Sequence, residues 1–310
     1  MRPSTLASLA AKYGRSVSPV SSYGSCTGFL AVYLAAADVL RERSDWERLA
    51  DELLADNVAD GAVYVALIFD ASPHQNRLAT EAECWAMLFD VFDEASKRHG
   101  LPVGWMAGID RVERDPQAAI ELAEFAVAHR HRGIVSFGLH NVEIGYPPSK
   151  FVEPMRIARE GGLQITPHVS ELDSGDNVAS ALDLLGATRI LHGVQSVEVP
   201  GLFDRLAAEG VCLDVCPTSN VAIGLFDSYA AHPLPALLDA GVRCSVNADD
   251  PFLFGSSLLG EYEVCRREFG FDDERMAAIA RTSIEAGNAP ASVKEAALAD
   301  IDTWLRSEVS

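Results

Sequence analysis

The chain has 310 residues, enough to bury one large core, and its 48% apolar composition fits a folded globular protein rather than a disordered one. A formal net charge of −20 argues against a nucleic-acid polymer as partner, because such binding rests on phosphate neutralisation by Lys and Arg; it leaves an uncharged small molecule open. No run of about 18 apolar residues reads as a membrane span, and the opening MRPSTLASLAAKYG lacks the apolar core of a secretory leader.

In chain order the pattern predicts a helix over 4–12, an irregular stretch over 14–25, and helices over 27–42 and 45–59. A strand follows at 62–69 (AVYVALIF), whose continuous apolar character suits a parallel strand buried on both faces. Then come helix 80–99, strand 102–109, helix 116–130, strand 133–139, helix 149–161, strand 163–168, helix 177–186, strand 188–192, helix 197–210, strand 211–215, helix 233–241 and strand 242–247. Helices over 256–269, 273–287 and 290–306 close the chain. Strands alternating with helices predict an α/β fold of the (β/α)8 TIM-barrel type with extra helices, as a single domain over residues 1–310. The six cysteines include no CxxC pair and fit a reduced, cytoplasmic compartment. Cys212 and Cys244 fall in apolar runs and are expected to be buried. The Cys212–Cys216 spacing is metal-like, but in a strand it reads as packing.

Reactive residue types collect at the C-terminal ends of these strands, where barrel enzymes keep their chemistry. GLQITPH ends at His168, with Glu171 three residues on. TRILHG carries His192. VCLDVCPTSN ends in Cys216-Pro217 and small polar residues. The last strand gives out into Asn247-Ala248-Asp249-Asp250-Pro251. Two adjacent carboxylates need a cation, a shared proton or good solvation. Their adjacency aims them differently, so that one can hold a metal while the other faces a ligand. Asp-Asp-Pro is also an ordinary turn composition.

HVSE at 168–171, LHG at 191–193, CPTSN at 216–220 and NADDP at 247–251 resemble, in order and spacing, the adenosine/AMP deaminase family of metal-dependent hydrolases. The resemblance runs from about residue 2 to about residue 289. NVEIGYPPSKF at 141–151 is similar to the bacterial branch that includes adenine deaminases and aminodeoxyfutalosine deaminases. The resemblance implies one zinc, or another divalent metal, per chain, with His168 and Asp249 as ligands. It implies His192 beside the activated water, Glu171 as proton donor to purine N1, and Asp250 as the contact to N7. It places the backbone N–H of Asn141 against the ring, with His140 either adding a polar contact or facing solvent. The 216–220 stretch is read as support with no nucleophile. The implied reaction is hydrolytic removal of a 6-amino group from a purine. PPSKF points to free adenine, but CPTSNV and ADDPFLFG favour a nucleoside such as adenosine, deoxyadenosine or aminodeoxyfutalosine, and the nucleoside is the expectation, with free adenine the alternative. Self-association into a homo-oligomer is left open.

Two departures stand out. The family has Ala-Gly after the first of these histidines, and here Val169-Ser170 stands there. The family's first strand carries a His-x-His pair of metal ligands, yet the first histidine here is His74 and only seven strand runs are counted. His129 and His131 have the spacing, but fall at a helix end between arginines. The expectation is an N-terminally truncated barrel with its first strand upstream of residue 1, strand edges exposed and metal weakly held. The rival is a non-catalytic purine-binding barrel.

Overall fold

The computed structural model describes residues 1–17, 23, 26–75 and 77–308; residues 18–22 and 24–25 of the expected irregular stretch lie outside them. The strands are β1 (Val65–Phe69), β2 (Val103–Asp110), β3 (Ile134–His140), β4 (Gln164–Ile165), β5 (His168–Val169), β6 (Arg189–His192), β7 (Cys212–Val215) and β8 (Arg243–Val246). All pair in parallel, in the orders β1-β2-β3-β4 and β5-β6-β7-β8.

Every strand run expected from the sequence is present, and the one at 163–168 is divided. Pro167 has no N–H to give a ladder, so pairing lapses between β4 and β5. The backbone still bridges the lapse: Thr166 donates to the Phe137 carbonyl at 2.9 Å and Leu191 to the Pro167 carbonyl at 3.0 Å. Gly138 makes this approach possible, since a Cβ there would lie 2.1 Å from the Thr166 carbonyl oxygen. Among the described residues, the outer edges of β1 and β8 have no strand partner. The open seam leaves Ile68, on β1, 44% exposed.

The helices are α1 (Pro3–Lys12), α2 (Cys26–Ala37), α3 (Arg43–Ala59), α4 (Glu81–His99), α5 (Pro116–Ala128), α6 (Val152–Glu160), α7 (Asp176–Ser180), α8 (Leu202–Glu209), α9 (Pro217–Ala222), α10 (Leu234–Asp239), α11 (Pro251–Phe254), α12 (Leu258–Glu268), α13 (Asp273–Ala286) and α14 (Ala291–Glu308). α4 starts at a capping box in which Thr80 and Glu83 satisfy each other's backbone N–H, and ends at left-handed Gly100. Its inner face sets Trp85 edge-on to Phe69 of β1 and Trp105 of β2. α1 buries Leu6 and Leu9 and is tied to α3 by Arg2, bonded to Asp56, and by Tyr13 just beyond the helix, which donates to buried Asp45 at 2.6 Å.

Several expected helices are shorter than the pattern implied. The helix over 27–42 ends at Ala37, and that over 197–210 begins only at Leu202. Residues 251–268 form α11 and α12, separated by left-handed Gly255. α9, which follows β7 directly, is an element the sequence pattern did not mark. No helix among the described residues is long and apolar enough to cross a membrane.

Candidate active site

Four non-glycine residues have positive φ among the described residues: Asn141 (73°), Ser170 (57°), His192 (66°) and Asp249 (56°). All four follow or end a strand at one mouth of the barrel. Such backbone is disfavoured for side chains with a Cβ and persists where the surrounding structure enforces it, which is common at functional sites.

β5 opens the site with His168. Its Nδ1 lies 2.8 Å from the Leu139 carbonyl, so that nitrogen carries the proton and Nε2 is left bare. Burial, with His192 adding, pushes His168 well below its ordinary value, so the ring stays neutral. The loop that follows is gripped from β3's side. The Glu143 carboxylate accepts the backbone N–H groups of Ser170 at 2.6 Å, Glu171 at 3.0 Å and Leu172 at 3.4 Å. Arg111, only 2% exposed, donates to the carbonyls of His140 and His168 and so ties the ends of β2, β3 and β5 together.

Held this way, Glu171 meets His192 and Asn220. Its Oε1 is 3.3 Å from Asn220 Nδ2 and 3.4 Å from His192 Nδ1. Burial pushes the Glu171 carboxyl up to about 7, with Asp249 and Glu143 adding to the rise and His192 and Arg111 opposing it. Burial works against charge on His192, yet Glu171, Asp249, Glu143 and Asp214 outweigh it and raise its value.

Asp249 comes to the same place from β8. Donor atoms of His192, Cys216 and Asp249 lie within 4.8 Å of one another, and the His168 ring is 5.3 Å from that of His192, centroid to centroid. Nitrogen, oxygen and sulfur donors of this kind suit zinc. A histidine whose second nitrogen donates to a carbonyl, as His168 does, is the usual arrangement behind a metal ligand. The donor set therefore fits a divalent cation. The Cys216 thiol is pushed well above its ordinary value by burial, Asp249 adding, and is protonated as it stands. Burial, with Asp249 next, raises the Asp250 carboxyl to about 7, so it can itself carry the proton needed to face a ring nitrogen.

The β1–β3 side of the mouth holds the remaining expected residues. His140 does not face solvent: its Nε2 is 3.3 Å from Asp70 Oδ2. The Asn141 side chain donates to both oxygens of Asp110, at 3.0 and 2.9 Å, and accepts the Val142 N–H at 2.7 Å. That fixes the left-handed turn in which its backbone sits. His129 and His131 lie at the end of α5, each hydrogen-bonded to a carbonyl of that helix, just before the N-terminal start of β3 and not at a strand's C-terminal end.

A family model for adenosine deaminase matches residues 1–304. The chain belongs to the adenosine deaminase family. A Streptomyces virginiae protein provisionally described as an adenosine/adenine deaminase is 38% identical over 316 residues, covering 98% of this chain and 93% of that protein. An adenine deaminase from Mesorhizobium japonicum is 34% identical, covering 96% and 93%. The crystal structure of an adenine deaminase from Arthrobacter aurescens superposes with a TM-score of 0.90 at 28% identity, covering 98% of this chain and 95% of that one. A zinc-bound amidohydrolase from Burkholderia ambifaria, at 23% identity and a TM-score of 0.87, shares the fold.

Against this adenosine deaminase family frame, sequence reasoning missed the roles of Glu143 and Arg111, and the approach of Cys216 to His192 and Asp249. The metal-like Cys212–Cys216 spacing was a poor guide to the last. Cys212 is buried in β7 against Asp214, and Cys216 alone reaches the cluster.

Proposed function

We propose that this chain hydrolyses the 6-amino group of an adenine ring, releasing ammonia and leaving the 6-oxo purine, with residues 1–310 acting as one catalytic domain. The observation that carries the reading is the convergence of Glu171, His192 and the Asp249–Asp250 pair at the strand C-termini. His168, Cys216 and Asp249 are the residues that would hold a divalent cation, with His192 beside them. Bound there, such a cation supplies a Lewis acid that lowers the pKa of water towards about 7.

The chain's own groups divide the proton work. Glu171, in its acid form, donates to ring N1, which draws electron density away from C6. Its value of about 7 suits a group that must hold a proton and release it near neutral pH. Water adds at C6 with His192 taking up one of its protons and passing it to the amino nitrogen; the C6–N bond then breaks, the new C6 hydroxyl returns its proton to Glu171, and ammonia leaves. Asp250 in its acid form donates to N7, and the backbone N–H at Asn141 steadies the ring edge.

Free adenine is the substrate we favour, because relatives named adenine deaminase match most of this chain. A nucleoside is the second reading, supported by the adenosine/adenine description of the Streptomyces relative. A nucleotide is disfavoured by the acidic mouth: Asp70, Asp110 and Asp249 line it, and nearby Arg114 is committed to Asp70 and Glu81. Ammonia release with adenine, adenosine and AMP separates the three. Turnover is expected with adenine and none with AMP. Release from adenosine alone would move the substrate to the nucleoside, and release from no purine would overturn the reading.

A further inference from the structure

A histidine outside the expected site stands directly behind it. His232 follows a short turn, Tyr229–Ala231, and precedes α10. It is 4% exposed and packed between the rings of Phe226 and Phe269, at centroid distances of 5.1 and 5.9 Å. Both of its ring nitrogens are engaged. The Leu234 backbone N–H donates to Nδ1 at 3.2 Å. A backbone N–H can only donate, so Nδ1 is bare and the neutral ring carries its proton on Nε2. Nε2 lies 3.2 Å from Asn220 Oδ1.

That fixes the Asn220 amide. Its oxygen accepts from His232, and its nitrogen faces the site, 3.3 Å from Glu171 Oε1 and 3.3 Å from His192 Nδ1. Turning the amide over would set its NH2 against the His232 N–H, a donor-on-donor contact in a buried place. Asn220 is fully buried on α9, and its backbone N–H donates to the Cys216 carbonyl at 3.1 Å, so the side chain has little room to escape. Burial, with His192 adding, pushes His232 down to about 4, which keeps the ring in the neutral form this chain of bonds requires.

We propose that His232 is a positioning residue of the deamination, acting through Asn220 to hold the Glu171 carboxyl and the His192 ring in register. The inference rests on the deaminase reading above. It asks His232 to touch neither substrate nor metal, only to decide which end of one amide faces the proton donor.

Two substitutions divide its two bonds. In His232→Gln the side-chain NH2 is as many bonds from Cβ as Nε2 is, so it keeps the donor to Asn220 and loses the acceptor for Leu234. In His232→Asn the amide oxygen replaces Nδ1, so it keeps the Leu234 contact and loses the donor to Asn220. Positioning predicts that His232→Gln retains kcat within a few-fold, while His232→Asn loses on the order of tenfold to a hundredfold in kcat at unchanged KM. Asn220→Asp, which replaces the donor by an acceptor at equal size, should match the loss in His232→Asn.

The readouts are steady-state ammonia release and Tm on the full chain. A wild-type chain inactive on every purine sinks the deaminase reading and this inference together. An active wild type with His232→Asn unimpaired sinks this inference alone. So does a larger loss in His232→Gln than in His232→Asn, because that pattern assigns His232 to holding the loop before α10. A fall in Tm that tracks the loss of kcat in all three variants also assigns a structural role and overturns it.

Discussion

At the ends of β1 and β2 the acidic groups face an arginine or a set of backbone and amide donors, whereas Glu171 beyond β5, Asp250 beyond β8 and Glu261 on α12 meet no lysine or arginine among the described residues. Asp70 is bonded by Arg114 at 3.0 Å and Ser72 at 2.5 Å, with His140 alongside. Burial alone would raise its carboxyl, but His140, Arg114 and Ser72 together hold it well below the usual carboxylate range. Asp110 accepts the Val112 and Glu113 N–H groups and the Asn141 amide. Across the mouth, Glu171, Asp250 and Glu261 are each pushed up to about 7, with burial the first cause in all three. Among the described residues no Lys or Arg side chain bonds to any of them. The same residue types thus act as fixed anions on one side and as proton carriers on the other, and the difference lies in the partners supplied rather than in the acid.

The comparison breaks first at Glu171. If an acid with no lysine or arginine partner donates to the ring there, Glu171→Gln should lower kcat by at least the roughly hundredfold typical of losing a general acid, with metal content unchanged. Steady-state kinetics and metal analysis on the same preparation check this, and undiminished turnover would end the assignment. The Asp249–Asp250 pair comes next. Asp249→Ala should lose bound zinc, while Asp250→Ala should keep it and lose turnover; equal zinc loss in both would refute the division between them.

The paired side yields a stability effect in place of a kinetic one. Asp70→Asn leaves the guanidinium of Arg114, 7% exposed, with Glu81 as its remaining carboxylate. Removing one member of a buried ion pair strands the other, and a loss on the order of 3 kcal/mol in unfolding free energy is expected. Urea unfolding would measure it, and an unchanged midpoint would mean that Glu81 alone suffices.

The scaffold was largely legible in the sequence because its strands are continuous apolar runs separated by periodic helices. The placement of His168, Glu171, His192, Asp249 and Asp250 at one mouth was legible because each sits at or just beyond a strand end in a recognisable short motif. What was not legible is closed through space. Glu143 grips a loop 28 residues away, and His232 reaches Asn220 across a turn while Asn220 reaches Glu171 across 49 residues. No periodicity encodes such closures. The division of the fourth strand had a signal, Pro167, but its consequence depended on Gly138 in the neighbouring strand. The short helix α9 was hidden because Pro-Thr-Ser-Asn reads equally well as a turn, and Pro217 at its first position serves either.

The smallest expected effect sharpens the contrast furthest, because it concerns an acid placed on the unpaired side without a proposed chemical role. Glu261 is 1% exposed; its Oε2 accepts the Thr218 N–H at 3.2 Å, and its Oε1 is buried with no partner. Burial raises its carboxyl from 4.5 to about 7, against the pull of the Thr218 bond. A raised folded value means that the native state binds the proton more tightly than the unfolded chain does. Stability from the neutral form is therefore fully present below about 4.5 and is lost as pH rises through about 7. Glu261→Gln keeps an acceptor for Thr218 and cannot ionise. It should match the wild type near pH 4 and exceed it near pH 8 by on the order of 1–2 kcal/mol, below the roughly 3 kcal/mol ceiling that a shift of this size sets. Asp70→Asn, which removes a carboxylate whose folded value is depressed, should destabilise at neutral pH and approach the wild type only in acid. Urea midpoints for both variants at the two pH values give the comparison directly. If Glu261→Gln gains nothing at the higher pH, the neighbouring groups already neutralise Glu261, and the two sides of the mouth differ less than their bonding suggests.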